Sequence, residues 1–252
     1  MIFRIGGLIN RLLNRFFGLR ISSGTNRRLV GIENEAWEVL CIARGRTMGS
    51  SVQQYTMWQS VQYVENNAVP GDVIEFGVWR GGMAMIAAEA MGRRQSKRNL
   101  VLFDTFSGMT MPDINDTELY SKQQAETILK REANKVGKWT TWANASLDDV
   151  QLGISQCCLS EKQIKYIIGD VQNTVPGNLP ELISICRIDT DWYSSTSHIL
   201  KNTWERISPG GILILDDYDI WSGARKAVDE FFSTLGYQPF LIRTEIGRII
   251  IK

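Results

Sequence analysis

Val73-Ile74-Glu75-Phe76-Gly77-Val78-Trp79-Arg80-Gly81-Gly82 runs from apolar, β-prone residues into glycines and on into Met83–Met91, a helical stretch. Strand, tight turn and helix in that order open a βα unit. Glycine lets the backbone turn sharply and approach a ligand closely, at the carboxyl edge of the sheet where open α/β folds bind their ligands. The pattern is not G-x-G-x-x-G, because Trp79 stands where the second glycine would be and a pyrophosphate needs bare backbone there. An acid, one residue, glycine, three residues and glycine suits a cofactor without phosphate, with Glu75 placed to meet an ammonium group.

Outward from this turn, apolar runs alternate with helical periods. Leu100–Phe103, Ile164–Ile168, Ile183–Ile188 and Gly211–Leu215 read as strands. Met48–Asn67, Ser121–Val136, Ser195–Ile207 and Ser222–Leu235 read as helices. Pro239–Arg243 and Arg248–Ile251, split by Glu245-Ile246-Gly247, predict a hairpin that closes the sheet edge. Strands alternating with helices give a parallel sheet covered on both faces, a doubly wound α/β domain. It is expected over residues 47–252, preceded by a helical extension over 1–46.

Acids stand at the strand tips. Asp104 follows the second strand, where a carboxylate accepts the ribose hydroxyls of an adenosine moiety. Asp170 follows the third, where an adenine amino group is read. Asp189 and Asp191 end the fourth strand and, if extended, point to one side. Asp216, Asp217 and Asp219 end the fifth. If these strands are neighbours, Asp189, Asp191, Asp216 and Asp217 converge beside the glycine turn, where like charges raise pKa values unless a cation relieves them. An all-oxygen set selects a hard ion, so Asp189, Asp216 and Asp217 are expected to hold Mg²⁺. Asp219 is expected to be a helix cap or a solvated loop acid. His198, with no partner at catalytic spacing, is expected to be structural. Trp79, Phe106, Trp192 and Tyr193 are candidates for pocket walls.

The chain has 252 residues, 44% of them hydrophobic, and a net charge of +1. That length buries a sizeable core without disulfides, and no apolar run is long enough to span a membrane. Arg4, Arg11, Arg15, Arg20, Arg27 and Arg28 all precede the first acid, Glu33, which leaves 22 basic against 27 acidic residues in the remainder. A mildly acidic body argues against nucleic-acid binding. Met1–Ile21 repeats apolar residues at helical spacing with arginines on another face. Such a helix either lies on an anionic membrane surface or packs on its own domain or a partner subunit. Because its stripe needs covering, a homo-oligomer is expected. Cys41, Cys157, Cys158 and Cys186 lack the spacing of a secreted scaffold or zinc site, which points to a reducing, cytoplasmic location, with the inner membrane face open through residues 1–21.

Glu75–Gly82, Phe103–Gly108, Arg187–Thr196, Asp216–Tyr218 and Trp221–Phe231 together resemble the macrocin O-methyltransferase (TylF-like) family over about Thr47 to Phe232. The resemblance implies the Rossmann-like sheet of class I methyltransferases and an S-adenosylmethionine- and Mg²⁺-dependent enzyme that methylates a sugar hydroxyl of a glycan or glycosylated metabolite. By position it implies a cofactor site of Thr47, Met48, Glu75, Gly77, Gly81, Asp104, Ser107, Asp170 and Val171. Asp189, Asp216 and Asp217 match the metal ligands and Asp191 the general base. Met109–Leu147 matches a variable substrate lid. Two other readings stay open. A nicotinamide-dependent sugar oxidoreductase would need a second glycine near Trp79 and a Tyr-x-x-x-Lys base. A silent S-adenosylmethionine-binding subunit would have no need to hold four carboxylates together.

Overall fold

The computed structural model describes residues 28–136, 143–236 and 238–252; the helix expected over Met1–Ile21 lies outside them. A seven-stranded sheet forms the centre. It comprises β1 (Asp72–Phe76), β2 (Leu100–Asp104), β3 (Ile164–Ile168), β4 (Ile183–Ile188), β5 (Ile207–Leu215), β6 (Ile242–Arg243) and β7 (Arg248–Ile251), in the order β3-β2-β1-β4-β5-β7-β6. β1 to β5 are parallel. β7 runs antiparallel between β5 and β6, as the expected C-terminal hairpin. Chain order reverses between β1 and β4, and open α/β sheets bind ligands at such a switch point.

One face is covered by α1 (Asn34–Ile42), α2 (Ser51–Asn66), α3 (Gly82–Arg93) and α5 (Leu147–Ile154). Their buried side chains, with Val73, Leu100, Leu102, Ile185 and Ile212 from the strands, make one continuous core. The other face is covered by α6 (Val171–Thr174), α7 (Tyr193–Thr203) and α8 (Ser222–Thr234) over Phe76, Phe103, Ile188 and Leu215. Each fully buried Leu, Ile or Phe contributes about 1.5–3 kcal/mol. A third, smaller cluster packs Ala125, Ile128 and Leu129 of α4 (Ala125–Val136) on Trp192, Trp221 and Ala224. Among the described residues no helix is long and apolar enough to cross a membrane.

Several boundaries differ from the sequence reading. The helix expected from Met48 starts at Ser51, because Ser50 and Gln53 form a reciprocal capping box. That leaves Thr47–Gly49 as a strap outside the helix. α1, inside the expected extension, buries Ala36, Val39 and Leu40 in the same core as α2 and α3. β5 starts at Ile207 rather than Gly211, and the turn-like Ser208-Pro209-Gly210 is absorbed where the register with β4 shifts. α5, capped by the Ser146 hydroxyl, has no counterpart in the sequence reading.

Candidate active site

In register, Phe76 lies between Phe103 and Ile188, and Ile188 beside Leu215. The residues after these positions therefore emerge together at one sheet edge. Gly77 turns the chain there with φ +82°, and a Cβ on it would lie 1.8 Å from the Asp189 carbonyl oxygen. Only glycine fits so close an approach of two strand ends.

Asp104 organises the neighbouring turns. Its Oδ2 accepts from the amides of Val78 at 2.6 Å and Trp79 at 3.1 Å, and its Oδ1 accepts from the Phe106 amide at 2.7 Å. Trp79 and Phe106 have φ of 48° and 50°. Left-handed non-glycine residues cost about 1–3 kcal/mol each and persist only where their surroundings hold them. Charge-assisted bonds from one carboxylate to these amides supply that hold.

A cavity of about 300 Å³ opens behind the turn. Its lining includes Thr47, Met48, Glu75, Gly77, Asp104, Asp170 and Val171 together with Asp189, Asp191, Asp216 and Asp217. Two residues expected at the cofactor are outside the lining. Gly81 sits behind the turn as the left-handed N-cap of α3, and Ser107 is exposed while Thr105 and Gly108 line the wall instead. Trp79 and Trp192 face the cavity, whereas Phe106 and Tyr193 do not line it. The strap is latched by charge: Asp149 of α5 receives Arg46 at 3.2 Å and Arg80 at 2.9 Å, and the Gly82 amide donates to the Arg46 carbonyl at 3.0 Å.

The acidic centre contains a cation that the sequence reading gave no role. Arg187 is buried, with Nη1 at 2.5 Å from Glu75 and Nη2 at 2.6 Å from Asp189 and 3.1 Å from Asp216. One guanidinium shared among three acids leaves excess negative charge. Removal from water pushes Glu75 up to about 7 against the pull of Arg187. The same cause raises Asp189 and Asp217 well above the ordinary carboxylate range, and Asp191 to about 6. In each case protonation relieves the burial of charge, and a bound cation would do the same.

The expected extended geometry at Asp189–Asp191 is corrected. The chain leaves β4 at Ile188, and Asp191 has φ 61°. Its amide donates to Asp217 Oδ2 at 3.0 Å, so a turn rather than strand alternation brings Asp191 to the cluster. Asp219 is also corrected. It is buried and paired with Arg225 at 2.6 Å, with Arg248 and with Arg243 at 3.4 Å, so it anchors the β5–α8 loop to the C-terminal hairpin instead of being solvated. His198 meets the Val175 carbonyl at 3.2 Å and is not among the residues that line the cavity, a structural setting.

The donor set fits a hard cation: one carboxylate oxygen from each of Asp189, Asp216 and Asp217 lies within 4.8 Å of the others. A polar ligand fits beside it, because Glu75 Oε2 and Thr190 Oγ1 are buried with no hydrogen-bond partner among the described residues. At Trp79 a left-handed indole-bearing residue occupies the place a dinucleotide fold keeps for bare glycine.

A family model described as Macrocin-O-methyltransferase (TylF) matches residues 37–244. The chain is 33% identical over 186 residues to Mycinamicin III 3''-O-methyltransferase of Micromonospora griseorubida, covering 73% of this chain and 69% of that one. It is 30% identical over 178 residues to 8-demethyl-8-(2,3-dimethoxy-alpha-L-rhamnosyl)-tetracenomycin-C 4'-O-methyltransferase of Streptomyces olivaceus, covering 70% of this chain and 63% of the relative. Among solved structures, the O-methyltransferase NovP superposes with a TM-score of 0.69 at 24% identity, over 98% of this chain and 99% of that one. That likeness shows a shared fold, a Rossmann-like doubly wound sheet.

Proposed function

Because the chain belongs to the macrocin-O-methyltransferase (TylF) family of O-methyltransferases, we propose that it moves a methyl group from S-adenosylmethionine to a sugar hydroxyl of a glycosylated small molecule, with the help of Mg²⁺. The relatives' names point to sugar acceptors. The observation that carries the reading is the opening of a glycine turn and of the Asp189–Asp191–Asp216–Asp217 cluster into one cavity.

When bound, S-adenosylmethionine would supply a methyl group on a positively charged sulfur, and Mg²⁺, which Asp189, Asp216 and Asp217 would hold, would lower the pKa of the acceptor hydroxyl. The chain's own groups do the rest. Glu75 Oε2, otherwise unpaired, accepts from the donor's ammonium group. Asp104 and Asp170 stand at the tips of β2 and β3 for ribose and adenine, while the Thr47–Gly49 strap closes the side. Asp191 removes the acceptor proton, a role worth about 10²–10⁴-fold. Holding both reactants in line is worth up to about 7–11 kcal/mol of the barrier. Asp191 is raised to about 6, so its basic form is depleted below that pH.

Methyl-labelled S-adenosylmethionine incubated with a panel of glycosides tests the assignment by mass spectrometry. Label is expected on a sugar oxygen, with a rate that climbs through about pH 6 to about pH 7, as Asp191 and Glu75 lose their protons, and then levels. Label on an aglycone phenol, or a rate that falls over that interval, would overturn it.

A further inference from the structure

Asp116 is fully buried, at 0% exposure, yet it lies in the stretch Met109–Leu147 that the sequence presents as a variable lid. The described first part of that stretch is not loose. Trp192 Nε1 donates to the Thr110 carbonyl at 3.0 Å, the Leu119 amide to Ile220 at 2.8 Å and the Ser222 amide to Thr117 at 2.9 Å. It is a fixed wall, with Met109 and Thr110 facing the cavity. Its bonds run to the two loops that carry Asp191 and Asp217.

Asp116 sits where these pieces meet. Its Oδ1 accepts from the Tyr193 amide at 2.8 Å and its Oδ2 from the Asp113 amide at 2.7 Å. Tyr193 is the first residue of α7, so its amide has no carbonyl partner within the helix and carries part of the helix's positive end. Gly223 of α8 leaves the carboxylate its room, since a Cβ there would lie 1.9 Å from Oδ1. Two residues before Tyr193 is Asp191, in its left-handed conformation with its amide on Asp217. The Asp191–Tyr193 turn is thus held by a carboxylate at each end, and Asp116 also fixes the acceptor wall.

We propose that Asp116 is a positioning residue that locks the acceptor wall and Asp191 into one rigid piece, so that the sugar hydroxyl and the group that deprotonates it keep a fixed separation. This rests on Asp191 as the base. The test compares full-length Asp116→Ala, Asp116→Asn and Gly223→Ala for kcat, acceptor KM and the dissociation constant of S-adenosylhomocysteine. Asp116→Ala is expected to lower kcat about 100-fold, the scale of an ångström's misplacement, and to raise acceptor KM. Asp116→Asn keeps an oxygen for the Tyr193 amide but turns its NH2 toward the Asp113 amide, so it is expected to recover part of the loss. Gly223→Ala, which pushes the carboxylate aside while leaving its charge, is expected to reproduce the Asp116→Ala pattern, and it decides the matter with Asp116→Asn if Asp116→Ala does not fold. S-adenosylhomocysteine affinity is expected to hold in all three. Wild-type kcat and acceptor KM in these variants, or a loss of cofactor affinity in step with kcat, would overturn the proposal. Active Asp116 variants beside an inert Asp191→Asn would sink this inference alone, whereas a fully active Asp191→Asn would sink the assignment beneath it.

Discussion

Asp191→Asn is expected to lower kcat by about 10²–10⁴-fold while leaving S-adenosylhomocysteine affinity nearly unchanged. The substitution is unusually clean at this position. Asp191 has φ 61°, and asparagine is among the few side chains that tolerate the left-handed region. The backbone bond from residue 191 to Asp217 uses the amide, which any residue keeps. Size and backbone therefore persist, and what is lost is the ability to take a proton. Single-turnover methyl transfer, measured beside calorimetric titration with S-adenosylhomocysteine, separates the two properties. Normal turnover would remove Asp191 from the chemistry.

Gly77→Ala is expected to destroy the site rather than tune it. The added methyl would lie 1.8 Å from the Asp189 carbonyl oxygen, which is backbone and cannot swing aside. Relief requires the ends of β1 and β4 to part, breaking the 2.9 Å bond from the Asp189 amide to the Phe76 carbonyl. The left-handed φ of +82° adds a further penalty for alanine. Such steric overlap at a special backbone position belongs with the largest single-residue effects, about 4–5 kcal/mol or more. Thermal unfolding is expected to show a much lowered Tm or no cooperative transition, and any folded fraction is expected not to bind S-adenosylhomocysteine. A variant with ordinary stability and binding would mean that the turn is not where the donor sits.

The parallel strands were legible because each carries an apolar run, buried on both sides in β1, β2 and β4, and because an acid or glycine marks the point where it leaves the sheet. Val73–Phe76, Leu100–Phe103 and Ile183–Ile188 stand in the structure within a residue of their expected limits. The convergence of Asp189, Asp216 and Asp217 follows from the adjacency of β4 and β5, which the alternating pattern allowed but did not require. The partners of each charge were not legible. Arg187 looks like one polar residue in a strand until the fold folds Glu75, Asp189 and Asp216 around it. Asp104 reads as a ribose acid, and sequence gives no hint that its oxygens already hold the Val78, Trp79 and Phe106 amides. Asp116 and Asp219 are invisible for the same reason: burial of a loop carboxylate depends on helix ends and arginines brought from distant parts of the chain. Local pattern predicts elements, while ionic pairing is a property of the closed fold.

Arg187 also bears on how the centre behaves. It neutralises part of the cluster, and one oxygen from each of Asp189, Asp216 and Asp217 lies within 4.8 Å of the others, close enough for a small divalent ion. Metal binding must release the protons that burial places on Asp189 and Asp217, so affinity for the ion is expected to strengthen as pH rises.

Initial rates of methyl transfer by chelator-stripped enzyme, titrated with MgCl₂ beside the Asp216→Ala/Asp217→Ala double variant, bear most directly on the acidic centre. Stripped enzyme is expected to be inactive and to regain its rate saturably with added Mg²⁺, while the double variant stays inert at every concentration. Full turnover in chelator, or a double variant that responds to Mg²⁺ like the parent, would contradict the account.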